Sequence, residues 1–178
     1  MNKKQYDGYT SFNYLRENVD YKRYDLATEL DRVPHYSLQL TEEEEAKLNE
    51  IMVKEPIVSL RDHGFIVPKN YDDILSYCSE LHTFFHYEGI AQSGIDIIFE
   101  NFMDGISIIT SKNGLKWDDV IYLLGMRYAD IERQNTVYIA RSYSDMQKAK
   151  RKKQTALIPS LEAASILENE LDRVDILY

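Results

Sequence analysis

The sequence predicts an α/β protein with a parallel sheet, preceded by an aromatic-rich N-terminal arm. Three observations predict it. Four short apolar runs (Ile57–Leu60, Ile95–Phe99, Val137–Ala140 and Thr155–Pro159) are followed by polar residues and have the length of buried strands. Between them lie segments with helical signals, clearest over Trp117–Arg133, where Val120, Ile121, Leu124, Tyr128 and Ile131 keep helical spacing; strands alternating with helices build parallel sheets. Residues 1–40 instead mix aromatics with charges (Tyr6, Tyr9, Phe12, Tyr14, Tyr21, Tyr24) and show only short periodic stretches.

Composition narrows the function classes. A chain of 178 residues accommodates one domain with an extension. With 44% apolar and 29% charged residues it matches ordinary globular usage, which excludes collagen-like, low-complexity and disulfide-scaffold architectures. Its 30 acidic residues against 21 basic ones argue against a general nucleic-acid binder, because phosphate contacts need positive surface. A lone cysteine, Cys78, favours a reducing compartment and so predicts a cytoplasmic protein. The first residues lack the apolar run of a signal peptide, and no stretch approaches the roughly 18 apolar residues of a membrane span.

In chain order, the arm is expected to end near Pro34 and to pack on a body formed by residues 41–178. Thr41 followed by four glutamates, Glu42 to Glu45, has the form of a capping box, with Glu44 three residues after the cap. It predicts a helix over 42–53, which Pro56 ends, and the glutamates read as its solvated first turn. A helix is expected from Tyr71 to Phe85 and a loop over Gly89–Gly94. Ser111–Gly114 supplies a turn. Ser144 with Gln147 predicts the start of a helix reaching about Lys153, whose basic cluster (Lys148, Lys150, Arg151, Lys152, Lys153) suits a helix C-terminus. A last helix is expected from Ile166, carrying Leu167, Leu171, Val174 and Leu177.

In βα folds the functional site lies at the carboxyl ends of the strands. Here those ends present Asp62 and His63, then Glu100, Asn101 and Asp104, then Glu162. Carboxylates with an imidazole are the donors that a hydrolytic divalent-metal site requires. Glu100 and Asp104 read equally as substrate-facing groups or loop caps. His82 and His86, at i,i+4 spacing, would share a helix face and read as a structural pair rather than a metal clamp. Cys78 has no charged neighbour in sequence and reads as a packed thiol.

Three segments carry a resemblance. Leu157-Ile158-Pro159-Ser160-Leu161-Glu162-Ala163-Ala164, with the run from Ile166 to Tyr178, resembles the bridging-glutamate segment of the membrane (renal-type) dipeptidases, zinc peptidases of the amidohydrolase superfamily. Ser144 to Lys150 resembles the family's helix before that strand, and Val58-Ser59-Leu60-Arg61-Asp62-His63 resembles its metal-binding first strand. The resemblance covers about residues 55–178.

It implies a (β/α)8 TIM-type barrel, two zinc ions as cofactors, a bridging hydroxide and dipeptides as substrates. Glu162 matches the metal-bridging carboxylate and His63 the second ligand on the first strand. Arg61 stands where the first ligand histidine belongs, and a guanidinium has no lone pair to donate. The remaining ligands are expected beyond residue 178, and a barrel takes about 250 residues. The expectation is therefore the N-terminal half of a barrel ending mid-domain, a truncated or degenerate dipeptidase that is inactive and does not retain zinc by itself. Self-association through the open barrel edge is expected as well. The alternative is a noncatalytic α/β interaction or scaffold protein derived from that fold, with the acidic surface and the aromatic arm as its binding face.

Overall fold

The computed structural model describes residues 4–27, 38–103, 115–162 and 164–178. Among them the chain forms α1 (Glu42–Lys54), β1 (Val58–Asp62), a 3-10 turn (Tyr71–Asp73) leading into α2 (Ile74–Ser79), and α3 (Tyr87–Ser93). It continues with β2 (Ile97–Met103), α4 (Trp117–Ile131), β3 (Val137–Ile139), α5 (Tyr143–Arg151) and β4 (Thr155–Glu162). A second 3-10 turn (Ala164–Leu167) and α6 (Arg173–Leu177) follow. The expected arm boundary at Pro34, the strand-end Asp104 and the turn Ser111–Gly114 lie outside the described residues.

The α/β class with a parallel sheet is observed: all four strands are parallel, in the order β1-β2-β4-β3. Consecutive strands of a (β/α)8 barrel instead lie side by side in chain order, and no closed eight-stranded barrel is present among the described residues. The chain steps from β1 to β2, passes over one place to β3, and turns back to β4. Crossovers between parallel strands are right-handed, so this reversal sends α4 and α5 to opposite faces.

The core agrees. Ile98 and Leu157 pack with Ile90 of α3, Ile131 of α4 and Tyr9 of the arm. Ile97 and Ala156, one position earlier, pack with Ala149 of α5 and Ala140. Ile97 pairs with Ala156 and Ile98 with Leu157, and the two-residue period of a strand sends each successive pair to the other face. Ile98 and Leu157 are fully buried, worth about 1.5–3 kcal/mol each in apolar area removed from water.

The predicted capping box of α1 is formed: Glu44 N–H donates to Thr41 Oγ1 at 3.3 Å, and Thr41 N–H donates to Glu44 Oε2 at 2.8 Å. Other local expectations are corrected. The helix expected to Phe85 stops at Ser79, because Leu81 takes a φ of 58°. The chain then runs alongside residues 64–66, with Ile66 N–H donating to Phe84 O and His86 N–H to Gly64 O, both at 2.7 Å. The expected loop at Gly89–Gly94 is α3, closed by Gly94 at a φ of 75°, a conformation natural to glycine. The cap of α5 is Ser142, whose Oγ accepts from Asp145 N–H at 3.2 Å, not Ser144. The final helix is interrupted between Leu167 and Arg173, where Glu168 and Asn169 have φ of 52° and 67°.

The arm joins the core. Asp130 of α4 is completely buried and accepts from Tyr9 Oη at 2.7 Å, Phe12 N–H at 2.9 Å and Tyr87 Oη at 2.8 Å. Burial, with the Asp130 carboxylate beside them, holds both phenols far above the usual tyrosine range. Ala27 N–H donates to Val67 O, and Lys69 N–H to Asp25 O, each at 2.8 Å, so residues 25–27 of the arm are tied to the loop after β1.

Candidate functional site

The carboxyl ends of the strands gather the residues the sequence singles out. Asp62 of β1 pairs with Glu100 of β2, Asn101 of β2 with Ser160 of β4, and Met103 with Glu162. His63 follows directly after β1. His63 and Glu162 therefore lie at the same end of the sheet.

Arg61 ends up on Glu162. Its guanidinium donates to Glu162 Oε1 from two strands away, while Asn101 Nδ2 donates to the other oxygen, Oε2, at 3.2 Å. The pair reaches solvent, with the Arg61 side chain 63% and the Glu162 side chain 37% exposed. Ser160 Oγ lies within hydrogen-bond distance of two acceptors, Asn101 Oδ1 at 2.8 Å and Glu100 O at 3.1 Å, and its donation to the first holds Asn101 in place.

Glu100, the residue before Asn101 and so on the other face of β2, is only 3% exposed. Gly64 N–H donates to its Oε2 at 2.9 Å, and a side chain at Gly64 would collide with the Phe85 ring and crowd the carboxyl. Burial pushes the Glu100 carboxyl up to about 7, against the lowering influence of the Arg127 guanidinium and the Gly64 N–H; the Asp62 charge adds to the rise. This is the balance expected of a carboxyl in apolar surroundings with few donors.

Arg127 is the residue that sequence reasoning missed. It is 6% exposed, stands 4.6 Å from the Phe85 ring centroid, and donates to Thr83 O at 3.4 Å. Its Nε and Nη1, like Nδ1 of His63, are buried without a hydrogen-bond partner among the described residues. The signal was present in the sequence: Arg127 falls at i+7 from Val120 and i−4 from Ile131, a charge set within the apolar stripe of α4.

The donor set among the described residues does not fit the two zinc ions that the resemblance implies. Among the described residues no three His, Cys, Asp or Glu side chains come together to hold a metal ion. Glu162 is engaged by Arg61 and Asn101, and Arg61 contributes positive charge rather than a lone pair. His82 and His86 do not share a helix face, since both follow the end of α2. His82 Nδ1 lies 2.8 Å from Glu80 O and Nε2 3.0 Å from the Tyr122 hydroxyl, the structural role expected of it. Cys78 is buried, and burial pushes its thiol up, consistent with a packed thiol.

At the opposite end of the sheet, Lys150 from the basic cluster donates to Asp96 Oδ2 at 2.9 Å and to Glu55 O at 2.6 Å. No helix among the described residues is long and apolar enough to cross a membrane. Comparison with protein-family models, with curated proteins and with solved structures finds no match.

Proposed function

We propose that the chain is a noncatalytic α/β interaction protein, with dipeptidase-like strand ends that lack the metal chemistry and the aromatic arm as its binding face. The observation that carries it is the Arg61–Glu162 pair. Where the resemblance calls for a zinc-ligating imidazole there is a permanent positive charge, and it lies against the carboxylate that would bridge the metals. A dication brought to that position meets repulsion and an occupied ligand. Half of a (β/α)8 barrel would need β1-β2-β3-β4 as neighbours; the interaction reading needs only the four-stranded layer.

Calorimetric titration with zinc and an assay of dipeptide hydrolysis, with and without added zinc, test this reading. The expected result is neither stoichiometric zinc nor turnover, and no rescue by Arg61→His alone, because catalytic zinc normally has three protein ligands. About one zinc per chain after dialysis, with zinc-dependent turnover, overturns it and restores the dipeptidase-like metallohydrolase. Self-association at the edge strand β1, where Leu60 is 77% exposed, is a second mode of interaction that sedimentation at increasing concentration reads directly.

A further inference from the structure

A cavity of about 830 Å³ opens between the arm and residues 84–88, and none of Arg61, His63, Glu100 or Glu162 lines it. Its volume is in the range of small-molecule sites. Tyr6, Tyr21 and Tyr24 line it together with Glu17, Asp25 and Glu88. Aromatic rings present a negative face, and a cation within about 6 Å of the centroid is attracted to it. Carboxylates in the same cavity add charge of the same sign. The combination of tyrosine faces and carboxylates selects for a positively charged organic ligand.

The polar groups already in the cavity locate the open position. Arg23 also lines it but is held by Glu17 at 3.1 Å, and Asp25 faces Lys69 at 3.7 Å. Glu88 accepts from the neutral amide of Gln92 at 3.2 Å and stands near Tyr6, whose phenol is raised by burial and then by the Glu88 charge. The Tyr24 ring already carries an ammonium, with Lys22 Nζ 4.5 Å from its centroid. Tyr21 is braced edge-on against Phe84 at 5.5 Å. Glu88, Tyr6 and Tyr21, all in the lining, thus combine charge with ring surface.

We propose that this cavity binds a small alkylated ammonium compound, its cation at Tyr6 and Glu88 and its apolar body on Tyr21 and Phe84. The assignment rests on the interaction reading above and names the ligand class for the arm. The test is calorimetry and proton NMR on the full chain with choline as probe and its uncharged tert-butyl isostere as control. Choline is expected to bind at least about tenfold more tightly than the isostere, with its N-methyl protons shifted upfield by the rings. Glu88→Gln and Tyr6→Leu, both at exposed positions, are each expected to weaken binding about three- to tenfold, and Tyr6→Phe to preserve it. Equal affinity for the isostere, absence of choline binding, or unchanged affinity in both weakening variants overturns the assignment. Any of those results, with zinc and turnover still absent, removes the ligand class and leaves the interaction role; zinc-dependent turnover removes that role whatever choline does.

Discussion

Asp96, just before β2, and Glu100, at the middle of that strand, stand four residues apart, and both are buried, at 5% and 3% exposure. Their surroundings differ. Asp96 accepts from Lys4 Nζ, from Lys150 Nζ at 2.9 Å and from Ile57 N–H at 3.1 Å. Burial works to raise its pKa, yet these donors hold the carboxyl below the usual range. Among the described residues Glu100 accepts from one backbone N–H, at 2.9 Å, and burial carries it to about 7. The donors delivered to a buried carboxyl, two of them ammonium groups at Asp96, thus set the direction in which its pKa moves, since desolvation acts on both. The amino end of the sheet is closed by compensated charge. The carboxyl end retains buried polar groups that are only partly compensated, the pattern seen where α/β proteins place their sites.

Removing the clamp at the amino end tests the difference most severely. Asp96→Ala leaves Lys4, whose side chain is 5% exposed, without its anion, and is expected to cost about 3–5 kcal/mol in urea unfolding. A loss below about 1 kcal/mol would show that the clamp is not a source of stability. The pH dependences have opposite signs. Asp96, with its pKa lowered on folding, contributes stability that is present above the unfolded value of 3.8 and is lost as pH falls through the folded one.

Glu100 runs the other way. With its pKa raised from 4.5 to about 7, the folded state binds the extra proton in that window, so stability falls as pH rises from about 4.5 to 7. Glu100→Gln mimics the protonated form. It is expected to abolish this slope and to stabilise the protein at pH 8 by an amount on the order of 3 kcal/mol or less. An unchanged slope would show that Glu100 is not the group that titrates.

Arg61→Ala is the smallest perturbation. The pair it breaks is solvent-exposed, and the expected loss is below about 1 kcal/mol, decreasing further with added salt. A loss above about 2 kcal/mol would mean that the Arg61–Glu162 pair bears part of the fold's stability and is not a surface contact closing the strand ends.

The α/β class, the positions of the four strands, the Thr41 cap and α4 were legible because each depends on neighbours a few residues away: apolar runs, the cap-to-Glu44 spacing, the repeat along Val120, Leu124 and Ile131. The grouping of Asp62, His63, Glu100, Asn101 and Glu162 at one end was legible for the same reason, since parallel strands ending in polar residues must present them together. The break at Leu81 was not legible, because a leucine in the left-handed region carries no sequence mark; at Glu168-Asn169 the asparagine, a residue favoured in that region, was the one signal the helical spacing of Leu167, Leu171 and Val174 obscured.

The sequence by itself thus determined which segments become strands and which residues arrive at their carboxyl ends. Only the tertiary structure decided that β4 enters between β2 and β3, that Arg61 meets Glu162 from 101 residues away, and that Asp130 gathers Tyr9, Phe12 and Tyr87. Strand position follows local periodicity, whereas strand order depends on which faces the crossover helices can cover. The raised pKa of Glu100 depends likewise on its burial and on which donors the folded chain brings to it, and that is a property of packing rather than of sequence neighbours.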